Sequence, residues 1–476
     1  MIQRFNFIFI LFFVTNPLFS QDNSAEKVLS LDMQTAVDLA LKQNLDIKSE
    51  KFNNDSLKWA MVTSWNNLLP TASISGSMSK NDVNDPVVRR STTYRLSGNV
   101  AGQPGFKDYI KKVVRETEET RPNWSLSTNF NVRWQLQATD AFNIYDTVLK
   151  YQSGKISLEI AKNKIIRDIK KNYYSLILQK EELVIDEEQY NNAYDRYLKE
   201  KIRYENGKSP RLKMLNAQVA YMNRKPTVIQ KKNNYQNAVL KFKSLLGLKP
   251  EVDLNLTGTI QIEKLKTAAE FEKMIAAIDL NKNIEIEKLK QDIQSQRNRI
   301  FTTAAKMAPT FTVSWAISPK FLNDLETDPL FDDLENDWDY ENGKLTLSLQ
   351  MALDPLFPLS KDQVSILQTQ YNILDKQIAM EQKKQNLEQS IQSLLLKLTK
   401  SIESINVLTL NIEVAEEAYK LEEEAYNYGS KELTDLKNAE FEYKNAKLKL
   451  LQEQYRYLEV LFDLEYNLGT KIITEN

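Results

Sequence analysis

Between Asp362 and Tyr428 the chain runs without a glycine or a proline, and apolar side chains recur along it every three or four positions. Leu367, Tyr371, Leu374 and Ile378 open the pattern, and Leu387, Ile391, Leu394, Leu398, Ile402 and Ile405 continue it. Such spacing marks a helix with an apolar stripe. At about 1.5 Å per residue this helix is on the order of 100 Å long. No single globular core needs a helix of that length, whereas a coiled coil or a helical tube does.

The long helix has a counterpart earlier in the chain. YENGKSPRLKMLNAQVAY (Tyr204 to Tyr221) and YNYGSKELTDLKNAEFEY (Tyr426 to Tyr443) share Gly207 and Gly429, Asn216 and Asn438, Ala217 and Ala439, and their bounding tyrosines, all 222 residues apart. The offset persists to Leu246-Gly247 and Leu468-Gly469. Upstream, NLDIKSEK at Asn44 matches NIEIEKLK at Asn283, and Pro70 matches Pro309, at an offset of 239. The chain therefore reads as two copies of one unit, the first enlarged between its proline and its glycine. Gly207 and Gly429 each follow a long helical stretch and precede a second one, so each is expected at the tip of an αα-hairpin.

The enlargement falls between two strands. After Pro70, Ala72, Ile74, Gly76 and Met78 alternate with small polar residues; after Pro309, Phe311, Val313, Trp315 and Ile317 alternate with Thr312, Ser314 and Ala316. A polar loop is expected next in each copy, Ser79 to Asn123 and Pro319 to Gly343, then a second alternating run: Leu126 to Leu136 in the first copy and Leu345 to Leu353 in the second. Period two means strand. These runs approach the roughly 9 to 11 residues of a tilted membrane-crossing strand. Trp124, Trp134, Trp315 and Phe357 fit an aromatic girdle, although a half-buried soluble sandwich reads similarly. Four strands cannot close a membrane barrel, which takes at least about eight, so a barrel would need several chains.

Composition removes much chemistry. There is no cysteine and no histidine, which excludes disulfides, thiol nucleophiles and imidazole acids, bases or ligands. With 63 basic against 64 acidic side chains no global field draws nucleic acid. Arg4, the apolar stretch Phe5 to Val14, Pro17 and Ser20 read as a cleavable export signal over residues 1–20.

LDMQTAVDLALKQNLDIKSE followed by NNLLPTASISGSM, the duplicated glycine-turn segment ending in NA, and the LeuGly terminators together resemble the TolC-type outer-membrane efflux proteins, from about Leu29 to Gly469. The resemblance implies a mainly α protein with a membrane β-barrel. Its two tandem repeats each carry a long α-helical hairpin and a β-hairpin, and three chains form a 12-stranded β-barrel continued by an α-helical barrel. On this reading repeat 1 spans 21–247, with its β-hairpin at about 71–138 and helices at about 140–206 and 208–246. An equatorial linker spans 248–275; repeat 2 spans 276–469, with its β-hairpin at about 310–353 and helices at about 362–428 and 430–468; the tail is 470–476.

The implied function is a passive duct of a tripartite efflux system, located in the outer membrane and extending into the periplasm, with no catalysis and no cofactor. Its partners would be two further copies of itself, a periplasmic adaptor, an inner-membrane transporter and outer-membrane lipid. Carried over from the family, the gate falls on Asp435 and Asn438, with Tyr426 and Lys431 as latch residues. The position that supplies the family's acidic latch partner is Lys213 here, so Lys431 cannot form that ion pair. Adaptor docking falls on the tip turns: Gly207, Lys208, Ser209, Gly429, Ser430 and Leu433. A soluble periplasmic coiled-coil scaffold or adaptor is the alternative, and a carboxylate-pair enzyme stands third. The acidic stretch DPLFDDLENDWDYENG fails as a calcium loop, because Gly343 comes one place late after Asp337, and it reads as a solvated loop.

Overall fold

The computed structural model describes residues 29–80, 87–96, 110–119, 124–260, 262, 265–318, 320–321, 338–339, 343–428 and 430–470. The segment expected to be an export signal, Gly429, the tail beyond 470 and most of the acidic stretch lie outside the described residues. The chain divides into two units. One contains the residues up to 52, 156–287 and 382 onward; the other contains 53–155 and 288–381.

The first unit opens with strand β1 (Leu29–Leu31) and helix α1 (Met33–Gln43). Asp32 starts α1, accepting the Thr35 backbone N–H at 2.7 Å while the Thr35 hydroxyl accepts the Asp32 N–H at 3.1 Å, a reciprocal cap. Helix α2 (Leu45–Thr63) is capped by Asn44, whose side-chain oxygen accepts the N–H groups of Asp46 and Ile47.

Strand β2 (Thr71–Lys80) follows in the second unit. The expected polar loop after it is in part ordered, and this corrects the sequence reading: β3 (Val87–Leu96) pairs with β4 (Ile110–Glu119) as a separate antiparallel ribbon before β5 (Trp124–Leu136). Its sequence sets apolar residues side by side, as in Val87-Val88 and Val113-Val114, which obscures a period-two signal.

Helix α3 (Ala138–Glu205) has 68 residues and α4 (Arg211–Leu246) has 36, with Pro226 inside it. The expected linker is structured as well: β6 (Leu254–Leu256) pairs in parallel with β1, and α5 (Ala268–Ala276) follows. Then come α6 (Ile284–Ala305), β7 (Thr310–Ile317), β8 (Lys320–Phe321), β9 (Trp338–Asp339) and β10 (Lys344–Gln350). The Gly- and Pro-free run is a single helix, α7 (Lys361–Asn427, 67 residues), and α8 (Leu433–Leu468) completes the second hairpin. Among the described residues no helix is long and apolar enough to cross a membrane.

In the second unit β2 pairs with β5, β5 with β7, and β7 with β10, all antiparallel. Asn131 faces Ala316 and Ser127 faces Lys320, so β8 continues the register of β7 along β5. The register sorts side chains by face. Ala72, Val132, Trp315 and Leu345 form one cross-strand row, and Ile74 with Phe130 and Ile317 forms the next, with Phe130 and Trp315 edge to face at 5.7 Å. Leu347, Leu349 and Phe311 extend the same face. It is exposed: Ile74 is 78% and Leu347 66% accessible. The opposite face carries Ser73, Ser75, Asn129, Asn131, Thr312, Ser314, Thr346 and Ser348.

The core of the first unit gathers Ala36 and Ala40 of α1, Ile169 and Tyr173 of α3, Phe242 and Leu246 of α4, Phe271 of α5, Ile286 of α6, Leu398 of α7 and Leu464 of α8. Burying each large apolar side chain here contributes roughly 1.5–3 kcal/mol. The Tyr173 hydroxyl ties the layers, donating to the Leu31 carbonyl at 3.3 Å and accepting the Gly258 N–H at 3.0 Å.

Candidate functional site

The two hairpin tips close with the same backbone bonds. Helix α3 ends at Gly207, whose φ of +66° is the left-handed conformation that glycine adopts without strain. The Gly207 N–H donates to the Tyr204 carbonyl at 2.9 Å and the Lys208 N–H to the Arg203 carbonyl at 2.7 Å. At the second tip the Ser430 N–H donates to the Ala425 carbonyl at 3.0 Å, the equivalent of the Lys208 bond. The Ser430 hydroxyl also donates to that carbonyl, at 2.8 Å. Lys208 is exposed, and the Ser209 hydroxyl donates to Glu200 at 2.8 Å, which with Arg203 holds that carboxyl below its usual range. Leu433 is the first residue of α8.

The expected gate residues cluster at the start of α8. Asp435 is exposed and turns back on its own helix, its Oδ2 accepting the Glu432 N–H at 3.4 Å; its own N–H donates to the Glu432 carbonyl at 2.9 Å. A carboxylate in the first turn also suits the helix dipole. Tyr426 is exposed on the last turn of α7. Lys431, which has no acidic partner at 213, pairs instead with Glu422 of α7 at 3.3 Å, closing the second hairpin on itself.

Asn438 faces the other hairpin: its side-chain oxygen accepts from Arg196 of α3 at 3.4 Å. It is the first rung of a ladder that the sequence reading missed. Lys437 donates to Asn192 at 2.8 Å, Lys444 pairs with Glu188 and with Glu440 at 2.7 Å each, and Gln452 donates to Glu182 at 2.7 Å. Burial lowers the Lys444 pKa, but its bonds to Glu188 and Glu440 outweigh that and hold it above the ordinary lysine value. Further along, Lys171 bridges Glu459 and Asp463 at 3.0 Å each. Among the described residues no group of three or more acidic side chains is placed to hold a metal ion.

At the opposite ends of the hairpins, matched residues make matched bonds. The Asn44 amide donates to the Leu245 carbonyl at 2.8 Å, and the Asn283 amide to the Asn467 carbonyl at 2.7 Å. Each asparagine also caps the helix that follows it, α2 and α6. Gly247 and Gly469 end α4 and α8 with φ of +76° and +67°.

Residues 280–470 match the outer membrane efflux protein family. The matched region contains Asn283, the whole of the second strand pair, α7 and α8, so the resemblance seen in the glycine-turn segment and the LeuGly terminator holds. No curated protein matches the chain. Solved structures similar to it include the CmeC outer membrane channel of Campylobacter jejuni, at 14% identity over 93% of this chain and 87% of that one, with a TM-score of 0.66. The outer membrane protein VceC of Vibrio cholerae is similar at 12% identity over 93% and 97%, TM-score 0.61. The open state of the MtrE outer membrane channel of Neisseria gonorrhoeae is similar at 16% identity over 92% and 89%, TM-score 0.61. The efflux protein region thus sits in a chain with the fold of outer-membrane channels, which favours the channel reading over the soluble scaffold.

Proposed function

We propose that three copies of this chain form the outer-membrane duct of a tripartite efflux system, passing cargo from a periplasmic adaptor and an inner-membrane transporter across the periplasm and outer membrane. The observation that carries this reading is the sheet of β2, β5, β7 and β10, which exposes Ile74, Phe130, Trp315, Leu345 and Leu347 on one face and carries polar residues on the other, with β2 and β10 unpaired on their outer sides among the described residues. In lipid an open edge is untenable, since every unpaired backbone group costs several kcal/mol, so the edges must pair with other copies. Three sheets make the twelve strands of a closed barrel. Helix α4 supports the same assembly: Leu212, Leu215, Val219, Met222 and Ile229 are exposed on it at coiled-coil spacing, a seam for a neighbouring chain.

The matched bonds of Asn44 and Asn283, and of the two tips, support a tandem duplication. Asp435 and Asn438 would ring the periplasmic entrance, with Tyr426 and Lys431 holding the closed form. Gly207, Lys208, Ser209, Gly429, Ser430 and Leu433 would meet the adaptor. No catalysis and no cofactor are involved.

The test is conductance of the detergent-purified protein in a planar bilayer, with Asp435→Asn and Asp435→Ala compared. Asp435→Asn keeps the bond to Glu432 and removes the charge. The expected outcome is discrete openings whose cation preference is lost in both variants. Openings that ignore both substitutions would discard the carboxylate ring and keep the duct, and a protein that never inserts would sink the duct.

A further inference from the structure

Among the described residues, the charged side chains on the polar face of β2, β5, β7 and β10 are all basic. Arg133 of β5 and Lys344 of β10 are both exposed and lie on it: Arg133 is opposite Ser314, which is opposite Thr346, while Lys344 is opposite Ala316, which is opposite Asn131. Neither has an ion-pair partner among the described residues. Strands β2, β5, β7 and β10 contain no acidic residue.

Solvation does not require this arrangement. The serines, threonines and asparagines of the polar face already suit water, and an ordinary solvated surface intersperses both signs. The whole chain is nearly balanced, at 63 basic and 64 acidic residues, so the strand face is a local segregation.

We infer that the strand-lined section of the duct attracts anions and favours cargo bearing carboxylate or phosphate groups. The inference rests on the outer-membrane duct reading, in which the polar face lines the lumen. Three copies then place Arg133 and Lys344 around one aqueous passage, and rings of Lys or Arg select for anions. The carboxylate of Asp435 and the cations of the strands belong to different units, so their contributions are separable by mutation.

The experiment measures the reversal potential of single channels in a neutral-lipid bilayer under a KCl gradient, in an Asp435→Asn background that removes the entrance carboxylate. Anion preference is expected. In the Arg133→Gln/Lys344→Gln variant the chloride-to-potassium permeability ratio should fall by at least about twofold, and Arg133→Lys/Lys344→Arg should retain it. The preference should shrink in 1 M salt, where the Debye length is only about 3 Å. Inorganic triphosphate should reduce the current of the unsubstituted channel at low salt, a readout independent of whether the Gln variant assembles. Conducting channels with an unchanged ratio, or no effect of triphosphate, would overturn the inference and leave the duct intact. Absence of any conductance overturns the duct, and this inference with it.

Discussion

At the residue scale, the two helix-ending glycines share a conformation and differ in surroundings. A Cβ on Gly247 would stand 2.5 Å from the Gln43 carbonyl oxygen, whereas one on Gly469 would meet nothing within 4 Å among the described residues. Both carry a left-handed φ, which strains an L-residue by roughly 1–2 kcal/mol. Gly469→Ala should therefore lower stability by about that amount, and Gly247→Ala by clearly more, because backbone must also move; thermal unfolding of the two variants in detergent checks the order. That the LeuGly pair recurs is plain in the sequence. That only one of the glycines is packed against another segment is not, because Gln43 is two hundred residues away and leaves no local mark. Lys431 teaches the same lesson in reverse: the family pattern directs attention to position 213 across the hairpins, and the actual partner, Glu422, is nine residues back on its own hairpin.

At the element scale, the ladder between α3 and α8 is built almost wholly of half-exposed polar pairs. Such pairs contribute only about 0–1 kcal/mol each, so they can fasten a hairpin without making its release expensive. Arg196→Ala with Lys444→Ala should leave the melting temperature nearly unchanged while lengthening the open time of single channels; a large loss of stability with no change in gating would show the ladder to be structural. The long helices themselves were legible from three-and-four spacing and from the missing glycines and prolines, and the strand pairs from alternation. The β3–β4 ribbon escaped because adjacent apolar pairs such as Val87-Val88 break the alternation in its sequence, and α4 keeps Pro226 within the helix, where local rules would end it. Pairings such as Lys444 with Glu188 could be read only once α3 and α8 were known to lie side by side and antiparallel.

At the scale of the whole molecule, the apolar strand face is the feature most exposed to test. Leu347 lies midway along β10 on that face, and an arginine near the bilayer midplane costs a barrel about 2–4 kcal/mol. Leu347→Arg should thus lower the urea resistance of the protein in lipid vesicles, while Thr346→Arg, on the polar face, should be tolerated; equal losses would place lipid on neither side. A second property follows from strand β1, which lies beside β6 in parallel, Leu29 against Leu254, with Tyr173 and Gly258 closing over it. Its partner is made more than two hundred residues later, and α8, which completes the same core, is made last. During synthesis β1 waits for β6 while the two hundred residues between them are made, and the core around it closes only when α8 supplies Leu464. Pairing so distant in sequence slows folding and prolongs exposure of apolar surface. A truncation in α8 should therefore loosen β1 and α1 as well as the helices that α8 packs against.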